Sequence, residues 1–284
     1  LSRRYRIAVE RSEVNRRLTV NVFRVGISPG GEQQREACPV ILLCGDVQRG
    51  LAKVRRVDGC LSLTADESHY IKRVLRRRNG DRLSITDGCG LLWEAVVVDS
   101  EGLQLADAPC DQQHAPVRRL GLALALTRRG FDEALRMACE LGIDAIQPLS
   151  CRRCTPQAEH RPERWQSILK EAVEQCERLW MPTLHPLQSI EQWPLSSMPR
   201  AVGVTRSTGL PSLSEWLSKQ TDEWVWMVVG PEGGWDEAEL AQFDDHPWQP
   251  VHMGNTILRS STAAVRSAVE LVHWREGLSA SAER

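Results

Sequence analysis

The chain has 284 residues, 42% hydrophobic and 26% charged, which suits a globular protein long enough for two domains and excludes a largely disordered polypeptide. Its net charge of −1 is not that of a strongly basic nucleic-acid binder, yet the halves differ: 20 basic against 15 acidic residues over 1–119, and 16 against 22 over 120–284. No apolar run approaches the length of a bilayer span, and an odd number of cysteines, nine, does not read as a disulfide framework, so a cytoplasmic, reducing setting without membrane contact is expected.

Residues 1–50 carry Arg3, Arg4, Arg6, Arg11, Arg16, Arg17 and Arg24 and then a linker-like run from Ser28 to Gln34. They read as an N-terminal extension of unassigned role, and Glu10 and Glu13 speak against a transit peptide. From Leu51 to about residue 112 the pattern changes to short alternating runs, Cys60 to Leu63, Arg82 to Thr86, Leu91 to Val98 and Leu103 to Leu105. Asn79-Gly80-Asp81 and Asp87-Gly88-Cys89-Gly90 punctuate them as turns, which predicts a small all-β module. One helix is expected within it, Ala65 to Arg78, with Tyr70, Ile71, Val74 and Leu75 inward and Lys72, Arg73, Arg76, Arg77 and Arg78 outward. That cationic face is either a solvated helix surface that complements the helix C-terminus or a grip for phosphates.

Asp111 to Pro116 reads as a linker, and from about 117 to 279 strands and helices alternate. Expected strands are Leu120–Leu126, Ile143–Leu149, a strand near Thr183–Leu187 and Ala201–Thr205; expected helices are Phe131–Leu141, Arg161–Leu179 and Leu213–Gln220. This rhythm implies a mostly parallel sheet covered on both faces. A continuous apolar run, Trp224 to Val229, then ends in Gly230-Pro231 and feeds a helix whose first turn holds Asp236, Glu237 and Glu239. The scheme repeats with a short strand, Pro250–Met253, the loop Gly254-Asn255-Thr256, apolar Ile257-Leu258, and Arg259 opening a helix that Ser260, Ser261 and Thr262 can cap. Both loops sit at strand C-terminal ends, where open α/β sheets bind ligands.

The loops lack the glycine spacing of dinucleotide and P-loop phosphate cradles, and no nucleophile motif accompanies them. Cys151-x-x-Cys154 has no second ligand pair at comparable spacing, so plain thiols are expected there rather than metal. The tryptophans, Trp235 beside the glycine loop included, are most simply core or rim residues.

GPEGGW, then about twenty residues, then GNTILRSSTA closely resembles the signature of the RsmE family, uracil-N3 methyltransferases of 16S ribosomal RNA within the SPOUT superfamily. HYIKRVLRRRNGDRLSITDG, ACELGIDAIQPLSCRR and ERWQSILKEAVEQCERLWMPTL match the family pattern in the same order, so the resemblance spans about Leu51 to Leu278. It implies an α/β fold: a knotted SPOUT-type, mostly parallel sheet over 117–279, preceded by a PUA-like RNA-binding β-barrel over 51–112. It also implies S-adenosylmethionine as cofactor, 16S rRNA of the small ribosomal subunit as partner, and a homodimer. The apolar helix Ala263 to Trp274 is a candidate dimer contact, although ordinary core packing explains its spacing as well.

By the same resemblance the cofactor is held by Thr205, by Val229, Gly230, Pro231 and Gly233 of the first loop, and by Met253, Gly254, Asn255, Ile257, Leu258 and Thr262 around the second. Methyl transfer to uracil N3 leaves negative charge on the ring, which a nearby cation stabilises. Arg259 is the candidate, with an ion pair inside the fold as the alternative. Glu232 is the only carboxylate in the two loops and is either a base or a brace for the turn. The chain departs from the family pattern twice: Ser261 stands where LR-x-ETA has glutamate, and Thr127-Arg128-Arg129-Gly130 where a lysine is usual, so Arg128 or Arg129 is expected to supply that charge. Two further readings stay open, an RNA-binding protein of this fold without methyltransferase activity, and a SPOUT enzyme acting on tRNA.

Overall fold

A computed structural model describes residues 40–42, 56–57, 60–98, 102–193, 198–243 and 248–282. Its N-terminal sheet is built on β5 (Leu91–Val97), where Ala95 and Val97 are buried while Glu94 and Val96 face water, the alternation of a sheet with one wet face. β4 (Arg82–Thr86) and β6 (Gly102–Leu105) flank it antiparallel, and β3 (Cys60–Ser62) and β2 (Arg56–Val57) continue beyond β6. Two strands lie where the sequence reads as extension and linker. β1 (Val40–Leu42) runs parallel to β4, and β7 (Asp111–Gln112) pairs with β5. The rest of the 1–50 extension, and residues 51–55 of the expected barrel, lie outside the described residues.

The expected helix Ala65–Arg78 is shorter than its sequence pattern. α1 (Ala65–His69) starts with a reciprocal Thr64–Glu67 capping box, then widens into a π-helical turn, Tyr70–Val74. There the Leu75 N–H donates to Tyr70 O and the Arg77 N–H to Ile71 O, and Arg76 adopts a left-handed backbone (φ 54°) that ends the helix. The widened turn rotates Val74 outward, so it is 59% exposed instead of lying on the inner face with Ile71.

The second sheet is entirely parallel. Its order is β10 (Thr183–Leu184), β9 (Ala145–Ser150), β8 (Arg119–Ala125), β13 (Trp224–Val229), β12 (Arg200–Gly203), β14 (Trp248–Val251), with β11 (Gln188–Ser189) also on β9. Alternate residues of one strand serve opposite cores: Leu120, Leu122 and Leu124 join Val225, Met227 and Val229 on one face, while Ala123 and Ala125 join Trp226 and Val228 on the other. Such strands read as unbroken apolar runs because both faces are covered. The first face carries α2 (Phe131–Leu141), α3 (Pro162–Cys176), α4 (Leu213–Leu217) and α6 (Ser260–Ala282), and α5 (Glu237–Gln242) follows the first glycine loop. β14 begins two residues before the expected Pro250, and α3 stops at Cys176 because Glu177 turns left-handed (φ 56°).

From the sheet edge at Val251 the chain returns across the strand ends. The His252 N–H donates to Pro211 O (3.0 Å), and the Ser260 hydroxyl donates to Gly230 O (2.9 Å). α6 then buries Ala263, Ala264, Ala268 and Leu271 in its own protomer, so core packing claims most of the apolar stripe offered as a dimer contact. Asp144 ties α6 down: its carboxylate accepts from the Leu120 N–H (2.9 Å) and the Arg275 guanidinium (2.7 Å), with Arg178 at 3.5 Å.

The small sheet is docked on the large one by backbone. The Gly90 N–H donates to Leu179 O (2.8 Å), the Met181 N–H to Gly88 O (2.9 Å), and the Trp180 indole to Gln113 O (3.0 Å). Tyr70 adds a hydroxyl bond to Glu174 (2.9 Å), and burial together with that carboxylate's charge pushes the Tyr70 hydroxyl well above its ordinary range.

Candidate functional site

β12, β13 and β14 are parallel neighbours, so the loops that follow them leave the same sheet edge. Side chains lock these loops together. The Trp235 indole, buried and edge-on to Phe243, donates to Gly203 O at 2.8 Å. Its ring covers Gly230 so closely that a Cβ there would come within 2.8 Å of it, which requires glycine at the turn. Gly203 meets the Met253 methyl, and Ser267 donates to Met253 Sδ (3.2 Å) and to Ala263 O. Below the first loop, Asp236 and Glu239 form a capping box, and the buried Glu239 carboxylate also accepts from the Arg152 N–H (2.8 Å). Arg153 backs Gly233 with its main chain, so the loop after β9 supports the glycine turn.

Among the residues assigned to the cofactor, Val229 and Pro231 are buried, Gly230, Met253 and Leu258 are half-buried, and Thr205, Gly233, Gly254, Asn255 and Thr262 are exposed. Ile257 is 64% exposed, an apolar side chain left open at the loop. The backbone N–H groups of Glu232, Gly233 and of Asn255 through Leu258 form no hydrogen bond among the described residues. Donor groups beside open apolar surface fit a ligand with both polar and ring portions. Thr262 stands on the first turn of α6, and Thr205 lies two residues beyond Gly203; neither side chain makes a polar contact with the glycine loops.

Arg259 and Glu232 are both exposed, and among the described residues neither forms an ion pair or a side-chain hydrogen bond. Among the described residues, neither the brace offered as one reading of Glu232 nor the internal pair offered for Arg259 is formed. The serines correct the sequence reading as well: Ser260 donates away from its own helix to Gly230, and Ser261 packs against Gly130. Their partners lie far off in sequence, so residue type alone could not show the ties. A shallow cleft sits between these elements, lined by Thr127, Gly130, Phe131, Val229, Ser260 and Ser261.

On the small sheet Arg73, Arg76 and Arg78 are exposed and Lys72 is half-buried, whereas Arg77 has its Nε buried with no hydrogen-bond partner among the described residues. Cys151 and Cys154 lie together at the end of β9, where the Cys151 thiol and N–H group (3.3 Å) both point to Cys154 Sγ and hold that thiol below its ordinary range. Among the described residues no group of three or more His, Cys, Asp or Glu side chains is placed to hold a metal ion.

The RNA methyltransferase domain family matches residues 113–271, and the RNA methyltransferase PUA domain family matches residues 63–105. Ribosomal RNA small subunit methyltransferase E of Synechocystis sp. is 35% identical over 216 residues, 73% of this chain and 71% of that protein. The protein of the same name from Bacillus subtilis is 27% identical over 71% of this chain and 85% of its own length. A crystal structure of the Neisseria gonorrhoeae protein of that name, bound to S-adenosyl methionine, superimposes with a TM-score of 0.64 over 82% of this chain and 95% of that one, at 23% identity.

Proposed function

The chain belongs to the RNA methyltransferase family, with the ribosomal RNA small subunit methyltransferases E, and from that premise we propose that it transfers the methyl group of S-adenosylmethionine to N3 of a uridine in 16S rRNA. The observation that supports this most is the locked set of three loops at one parallel-sheet edge, with free backbone donors beside open apolar surface. The Gly230 and Gly254 loops are its cofactor-holding parts, with Ile257 and Leu258 as apolar contacts. Bound there, S-adenosylmethionine supplies an electrophilic sulfonium methyl, so no covalent protein intermediate is required.

The protein has to orient the base, exclude water and stabilise the charge that develops. On this reading Glu232 takes the N3 proton. On the same reading Arg259, which has no carboxylate partner among the described residues, stabilises the negative charge that remains on the ring oxygens. The small sheet grips RNA through Lys72, Arg73, Arg76 and Arg78, dividing the chain into a binding part over 51–112 and a chemical part over 117–279. The same reading places the protein in the cytoplasm with its substrate and pairs it as a homodimer.

Cells with and without the protein should differ in the N3-methyluridine of their 16S rRNA nucleosides by mass spectrometry, and equal amounts would falsify the substrate assignment. Ser261 in place of the family glutamate favours testing a passive RNA binder beside it. Calorimetry separates the two: S-adenosylmethionine binds the enzyme at micromolar affinity and does not bind a passive protein.

A further inference from the structure

Carboxylates pair with many arginines of the parallel-sheet region, among them Arg152 and Arg153 of the loop after β9, which lie near Asp236. Arg136 pairs with Glu140, Arg152 with Glu191, Arg161 with Glu159, Arg164 with Asp132 and Arg266 with Glu270, while Arg178 and Arg275 share Asp144. At the opposite end of β8, Arg118 and Arg119 lie over the rings of Trp274 and Trp224. Arg128, Arg129, Arg206 and Arg259 are exposed, and among the described residues none of them has a carboxylate partner. These four all lie in loops that follow the C-terminal ends of β8, β12 and β14, the edge that carries the candidate site.

Contacts bring the loops together. Gly130 lies so near Ser261 that a Cβ would meet the serine Cβ at 2.9 Å, and the Thr127 hydroxyl donates to Arg129 O (3.0 Å), which fixes the turn carrying Arg128 and Arg129 beside the start of α6. The neighbouring Ser260 reaches Gly230. Arg206 holds a left-handed backbone (φ 63°), a conformation that costs a non-glycine residue energy. Like charges on the loops of one rim repel one another, and the carboxylates on that rim, Glu191 and Asp236, are engaged by Arg152 and Arg153 instead. A guanidinium fork matches phosphate oxygens bidentately, and a polyanion relieves that repulsion.

We infer that Arg128, Arg129 and Arg206 form a second phosphate grip, on the catalytic edge itself, that holds the RNA backbone flanking the target nucleotide. This rests on the methyltransferase reading and shares RNA binding between both parts of the chain instead of leaving it to the small sheet. The turn at Arg128-Arg129 then holds backbone phosphates.

The test is filter binding of deproteinised small-subunit rRNA over a salt series, for the parent, an R128A/R129A/R206A variant and an R128K/R129K/R206K variant, with S-adenosylmethionine affinity measured alongside. The alanine variant should lose about 0.7 to 0.9 of log–log salt slope per contact, about 2.1 to 2.7 for the three. Cofactor affinity should be kept, and the lysine variant should retain the parent slope. A parent-like slope in the alanine variant overturns the grip while leaving the methyltransferase reading intact. Equal loss in both variants, or loss of cofactor affinity with it, shows a structural role and overturns it too. A parent that binds neither rRNA nor S-adenosylmethionine sinks the underlying reading, and the grip with it.

Discussion

Ser260, at the end of the second loop, holds Gly230 of the first, thirty residues away in the chain, and Arg259 beside it is exposed with no carboxylate partner among the described residues. Ser260→Ala removes one partly buried hydrogen bond, about 1 kcal/mol. With the Gly230 carbonyl released, S-adenosylmethionine affinity should weaken by about fivefold. An unchanged calorimetric titration would show the tie to be irrelevant. Arg259→Ala acts on a different step: single-turnover methylation should slow by about 10²-fold or more while rRNA affinity changes far less. The glycine turns are legible in the sequence because unusual residue types cluster there. The hydroxyl that joins the loops is not, since serine before a helix reads equally well as a cap.

At the level of elements, Asp144 and Gly90 carry the load between parts. The Asp144 side chain is only 10% exposed and faces two arginines that are themselves 15% and 17% exposed. Asp144→Ala removes the carboxylate that both half-buried cations share and should cost about 3 kcal/mol, read as a lower denaturant midpoint. Gly90 has φ 102°, and a Cβ there would sit 2.3 Å from Gln113 O and 2.8 Å from the Trp180 ring. Gly90→Ala should therefore destabilise the docking of the small sheet by about 1 to 3 kcal/mol, with hydrogen exchange rising at Gly90 and Met181. Exchange unchanged at both would show that the junction tolerates the added carbon. The buried runs of β8 and β13 and the exact span of α2 were legible from apolar pattern alone. The π-helical turn was not, because i→i+5 closure leaves no separate mark on a periodicity that already reads as helix.

Across the whole molecule, the order of a small sheet followed by an α/β half is written in the change from alternating to continuous apolar runs. How the two halves dock is not, for the junction is built largely from main-chain bonds at Gly88, Gly90, Leu179 and Met181, whose partners lie about ninety residues away in the chain. Light scattering at micromolar concentration should give twice the 32 kDa protomer mass, and a monomer would count against a homodimer. Replacing Arg73, Arg76 and Arg78 together by alanine should flatten the salt dependence of rRNA binding by about 0.7 to 0.9 log units per contact and leave S-adenosylmethionine affinity alone. The most direct measurement is isotope transfer in vitro. Purified protein is incubated with unmodified small-subunit rRNA and methyl-labelled S-adenosylmethionine, and the RNA is digested to nucleosides for mass spectrometry. Label should appear in N3-methyluridine with the parent protein and fall about 10²-fold in initial rate with Arg259→Ala. Label absent from uridine, or appearing at the same rate with both proteins, would contradict uridine N3 methylation at this edge of the sheet.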